Sequence, residues 1–83
     1  MVGLSKLKSL RVFGIENCRL TIVPKIIKEL LAVELLLLSG NNFKEIPIWF
    51  GKLKKLKTIE VDKSLISQKV IKKLEKKIKI FYV

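Results

Sequence analysis

Residues 33–53 read V-E-L-L-L-L-S-G-N-N-F-K-E-I-P-I-W-F-G-K-L, with apolar side chains at Val33, Leu36, Leu38, Phe43, Ile46, Phe50 and Leu53. The stretch 23 residues earlier, L-R-V-F-G-I-E-N-C-R-L-T-I-V-P-K-I-I-K-E-L over 10–30, follows the same pattern. Phe13, Ile15, Cys18, Leu20, Val23, Pro24, Ile27 and Leu30 land on Leu36, Leu38, Asn41, Phe43, Ile46, Pro47, Phe50 and Leu53. A further step carries Leu36, Leu38, Asn41 and Phe43 onto Ile59, Val61, Ser64 and Ile66. Self-similarity at one fixed period marks a chain built by stacking one short supersecondary unit.

Each position has a physical reason. Phe13 and Ile15, Leu36 and Leu38, and Ile59 and Val61 are two apart, so each pair points to one side of a short strand. Parallel stacking of three such strands would make those side chains one core. Pro24 and Pro47 cannot donate to a ladder and belong in the return segments. Ile27, Leu30 and Val33, like Phe50, Leu53 and Leu56, are spaced by three, which fits short helical or 3₁₀ turns on the far side from the strands.

The repeated unit resembles the leucine-rich repeat, L-x-x-L-x-L-x-x-N/C-x-L-x-x-I-P-x-x-x-x-x-L, in the 23-residue form with an I/V-P motif found in bacterial and intracellular proteins. The resemblance runs in register from residue 4 to about 66. It implies an α/β solenoid with parallel strands on a concave face, helical or 3₁₀ turns on a convex face, and a C-terminal helix and strand as a cap. It also implies structural turn positions at Cys18, Asn41 and Ser64. In the family, the Asn amide bonds to buried backbone of the turn. A plain turn residue after Ser39-Gly40 is the other reading of Asn41. The family is functionally diverse, so the resemblance names no partner.

At 83 residues the chain is a single domain, near the lower limit for a core that folds unaided. Its expected divisions are a partial repeat over 1–10, repeats over 11–33 and 34–56, and a modified repeat and cap over 57–83. Leu4, Leu7 and Leu10 map onto Ile27, Leu30 and Val33 without a strand of their own. The strand near Arg11–Ile15 should therefore present an open edge, a route to self-association, with core side chains beside it partly uncovered. After Ile66 the register slips. Ser67 can cap a helix carrying Val70, Ile71, Leu74 and Ile78, and Ile78, Ile80 and Tyr82 then alternate as a last strand that seals the sheet.

An inventory of chemistry argues against an enzyme. The sequence has no histidine, which removes Ser-His-Asp and Cys-His machinery and most zinc sites. Its one cysteine, Cys18, is expected as a small buried turn residue with no base beside it. The four glycines at 3, 14, 40 and 51 form no phosphate loop, and the seven carboxylates show no metal-ligand spacing. No catalytic, cofactor or metal site is expected, and no small-molecule substrate. One cysteine and no signal-type apolar stretch favour a cytoplasmic setting, with a secreted or surface-exposed one open for a fragment of a longer array. No apolar run is long enough to span a bilayer.

A net charge of +11 would suit a binder of nucleic acid or anionic surfaces through the lysine-rich last helix. Strand alternation points elsewhere. The concave face should carry Val12, Gly14 and Glu16, then Leu35, Leu37 and Ser39, then Thr58, Glu60 and Asp62, which is three acids and no lysine. Lysines fall on return segments and on 69–79, a solvated outer face that keeps an apolar chain soluble. Leu35 and Leu37 are left over once Leu36 and Leu38 fill the core. An apolar patch beside Val12, edged by Glu16, Ser39, Thr58, Glu60 and Asp62, has the layout of a protein-contact site. The competing reading is that a second copy of the chain or a further segment covers it. Ile26 and Trp49 should form a second apolar column on the convex side, with Trp49 packing against its neighbouring repeat. The expected function is a non-enzymatic protein-interaction module, against two alternatives: the electrostatic binder, or a capping piece of a larger repeat protein.

Overall fold

A computed structural model describes residues 7–62 and 68–83 of the chain. Strands β1 (Val12–Gly14), β2 (Leu35–Leu37), β3 (Thr58–Val61) and β4 (Lys79–Tyr82) form one parallel sheet in the order β1-β2-β3-β4. Between them lie 3₁₀ turns at Lys25–Glu29 and Ile48–Lys52 and a helix, α1, at Gln68–Leu74. Val12 pairs with Leu35 and Leu35 with Thr58, each partner 23 residues on. Thr58 pairs with Lys79, so the last return takes 21 residues. The expected cap residue Ser67 lies outside the described residues.

Strands this short hold few ladder bonds, so the return segments must supply order of their own. They do so through residues spaced by three. Pro24 and Pro47 stand at the entry of the 3₁₀ turns, with φ of −62° and −64°. That is the value the proline ring enforces. The N–H of Ile27 then donates to Pro24 O at 3.2 Å, Leu30 to Ile27 O at 3.0 Å, and Val33 to Leu30 O at 3.2 Å. The second return repeats this through Phe50, Leu53 and Leu56, at 3.1, 3.1 and 3.0 Å. Each link spans three residues, so successive side chains eclipse on one side. These six side chains are all buried, facing Leu36, Leu38, Ile59 and Val61 from the sheet. Ile71, Leu74 and Ile78 complete the same core from α1 and the turn after it. Lys77 Nζ also donates to Gly51 O, tying that turn to the second 3₁₀ turn.

The two ends of the sheet depart from the middle. Beside β1, the side chains of Leu7, Leu10, Phe13, Ile15 and Leu20 are only partly buried against the core. At the other end, the expected helix and last strand are both present: α1 is followed by β4, which pairs with β3 and is the outermost described strand, with Phe81, Tyr82 and Val83 exposed. No described element lies beyond it to bury their second side.

Phe50→Ala, at a fully buried position, is expected to cost about 3–5 kcal/mol through lost transfer energy and the cavity left behind. Ile22→Ala, at a side chain 79% exposed, should change stability by no more than about 0.5 kcal/mol. Urea titration followed by circular dichroism measures both.

Candidate functional site

The turns that follow the strands fix the geometry of the sheet face, and Asn41 fixes the turns. Its side chain is 3% exposed, the single polar residue in the core of the described chain. Asn41 Oδ1 accepts from the N–H of Cys18 at 3.2 Å and of Leu20 at 3.0 Å. Asn41 Nδ2 donates to Ile15 O at 2.7 Å and Leu38 O at 3.0 Å, with Ser39 O at 3.4 Å. One carboxamide thus partners backbone groups of its own turn and of the turn before it, where they would otherwise be left without partners.

Gly40 completes this corner. Its φ is +76°, and a Cβ built there would lie 2.0 Å from Asn17 Oδ1 and 2.8 Å from Asn17 N. Gly40 N–H donates to Asp62 Oδ2 at 2.8 Å, so one carboxylate of the next turn closes on this one.

Cys18 corrects an expectation. It is exposed, not buried, although it occupies the position that Asn41 fills one period later. Asn41 is buried because it reaches back to a preceding turn. Cys18 has no described turn behind it to reach, and its thiol meets only Glu16 O at 3.3 Å. Ser64, the third turn position, lies outside the described residues.

On the sheet face, strand register arranges the side chains in cross-strand rows. One row runs Val12, Leu35, Thr58, Lys79, and the next runs Gly14, Leu37, Glu60, Phe81. Val12 is exposed, and Leu35, Leu37, Thr58 and Glu60 are half-buried. Beyond the second row come Glu16, Ser39 and Asp62. Ser39 Oγ lies 3.4 Å from Glu16 Oε2 and 3.5 Å from Glu60 Oε1, long contacts that hold the two acids on either side of one hydroxyl. A groove of about 530 Å³ opens over Leu35, Leu37, Thr58, Glu60 and Phe81, with Glu34 and Lys57 at one rim. That rim is an ion pair, Lys57 Nζ to Glu34 Oε1 at 3.5 Å.

Residues 32–53 match the family model described as Leucine Rich Repeat. This stretch is a leucine-rich repeat. No curated protein matches the chain, and no solved structure does. The matched residues include β2, the Asn41 corner and the second 3₁₀ turn. Leucine-rich repeats are common protein-interaction modules and the family is generally non-enzymatic. Among the described residues, no cluster of His, Cys, Asp or Glu could hold a metal ion, and no helix is long and apolar enough to cross a membrane.

Two residues of the face were not foreseen from the leucine-rich repeat pattern. Phe81, 48% exposed, shares a row with Leu37, and Lys79 sits over its ring with Nζ 5.0 Å from the centroid. A face expected to carry no lysine therefore carries Lys79 on β4. The 23-residue period could not place it, because the last return is two residues shorter. The alternation of Ile78, Ile80 and Tyr82 held the signal, since it puts Lys79 and Phe81 on the opposite side of that strand.

Asn41→Ala should cost about 3 kcal/mol or more, because it leaves several buried backbone groups without partners at once. Gly40→Ala should cost about 2 kcal/mol or more from the left-handed backbone and displacement of Asn17. Thermal unfolding of the two variants checks both values.

Proposed function

We propose that the chain is a short leucine-rich-repeat solenoid, one domain over 1–83, that binds a protein partner through its concave sheet face. The proposed contact set is Val12, Glu16, Leu35, Leu37, Ser39, Thr58, Glu60 and Asp62, to which Phe81 is added. The observation that carries this reading is the half-exposed row of Leu37 and Phe81 with Glu60 between them, next to Leu35 and Val12.

What supports a protein partner is the chemistry of that row. Large apolar side chains on a rigid sheet gain on desolvation, while the carboxylates around them select what may approach. Glu16, Glu60 and Asp62 collect toward the ends of the strands, while toward their beginnings Lys57 is paired with Glu34 and Lys79 adds a further positive charge. The face is polarised along the strand direction, which suits a partner segment with large apolar side chains and a lysine or arginine set against Glu60. Salt separates this reading from phosphate binding by the lysine-rich last helix, because phosphate contacts weaken steeply as salt rises.

Peptides selected from a random displayed library against the chain should combine basic with large apolar residues. Leu35→Glu with Leu37→Glu should weaken those peptides at least about 100-fold, since central apolar anchors dominate such contacts. Light scattering on the eluted chromatographic peak would show whether a second copy occupies the face instead. Selected peptides that bind the double variant as well as the native chain would sink the reading.

A further inference from the structure

The opposite side of the molecule has a surface of another kind. A groove of about 570 Å³ runs between the two 3₁₀ turns, lined by Lys28, Leu31, Trp49, Lys52, Leu53 and Lys54. Trp49, in that lining, is packed edge-to-face on buried Phe50 with centroids 5.0 Å apart and ring planes at 81°. This contact fixes the indole, and Lys28 Nζ lies 5.2 Å from the indole centroid. The lining holds three cations and no carboxylate; Glu29, on the first 3₁₀ turn, is not part of it. The same two turns expose Ile48 at 54% and Ile26 at 41%, and Leu31, in the groove lining, is 60% exposed. Nothing in the core requires these three to be apolar.

We propose that this convex surface docks on anionic lipid bilayers, with Trp49 and the exposed aliphatics entering the headgroup layer and Lys28, Lys52 and Lys54 engaging lipid phosphates. Each observation bears on the choice of occupant. A half-buried indole on a rigid backing is suited to the interface between headgroups and acyl chains. Exposed aliphatics interleaved with lysines gain from both acyl contact and the negative potential of the leaflet. The net charge of +11 favours approach to such a surface. A nucleic acid strand would leave Leu31, Ile48 and Ile26 unused and would find one ring where a stacking platform needs several. This surface is separate from the sheet face, so the proposal stands or falls independently of the concave-face reading.

Trp49 is the sole tryptophan of the chain and reports on its own surroundings. The test mixes the full chain with vesicles of equal parts phosphatidylcholine and phosphatidylglycerol, the phosphatidylcholine carrying brominated acyl chains. Parallel samples hold phosphatidylcholine vesicles alone, soluble glycerol phosphate, and a mixed-sequence single-stranded RNA. Binding to the mixed vesicles with quenching of Trp49 is the expected result. The variant Lys28→Gln/Lys52→Gln/Lys54→Gln should bind at least about 100-fold more weakly. A charge-matched variant on the last helix, Lys69→Gln/Lys72→Gln/Lys73→Gln, should lose less than about tenfold, because none of its lysines lines the groove. Circular dichroism of each variant reports folding, and quenching of the native chain stands without them. Vesicle binding that leaves Trp49 unquenched, equal losses in the two triple variants, equal binding to neutral vesicles, or binding to RNA or glycerol phosphate but not to vesicles would each overturn the proposal.

Discussion

A parallel sheet of three- and four-residue strands must turn back sharply after every strand, and each turn strands backbone donors and acceptors away from water. The side chain of Asn41 resolves this for the first two turns together, accepting from two N–H groups and donating to carbonyls on both sides. Much else depends on that corner. Leu36 and Leu38 lie buried on either side of the strand end that leads into it, and Gly40, having no Cβ, takes its positive φ there and lets Asn17 close against it. The sheet face inherits its order from the same corner, since Ser39 and Gly40 lead directly to Glu16, Glu60 and Asp62.

Opposite the sheet, the chains of three-residue hydrogen bonds do comparable work. Proline at each entry fixes the backbone, and every third side chain then falls into the core. Positions between those buried ones are released to solvent and can carry other chemistry. The first 3₁₀ turn uses them for Lys25, Ile26, Lys28 and Glu29, and the second for Ile48, Trp49 and Lys52. Two surfaces of different character result from one period: an apolar row with acids on the sheet, and an indole among lysines on the turns.

Much of the fold was legible because the spacing of apolar residues is itself a physical constraint. A spacing of two gives the inward pairs at 36/38 and 59/61, and a spacing of three gives 27/30/33 and 50/53/56. Leu35 and Leu37 could be assigned to the outer side on the same grounds, and the register places them beside Val12, Thr58 and Glu60. Cys18 could not be read correctly from its position in the repeat. Its burial depends on a neighbouring turn, which local sequence does not contain. Phe81 and Lys79 escaped for a related reason, because their place in the sheet rests on a return two residues shorter than the period.

The sequence by itself determined the period, the strand and turn positions, the inward side chains and the family of the central repeat, because these follow from local spacing and backbone chemistry. Only the tertiary structure decided which residues lie beside one another across strands, where the sheet ends, and that Lys28 meets Trp49. Those outcomes depend on the register in which successive turns of the chain stack. Register is set by the packing of the whole core together, and no single segment encodes it.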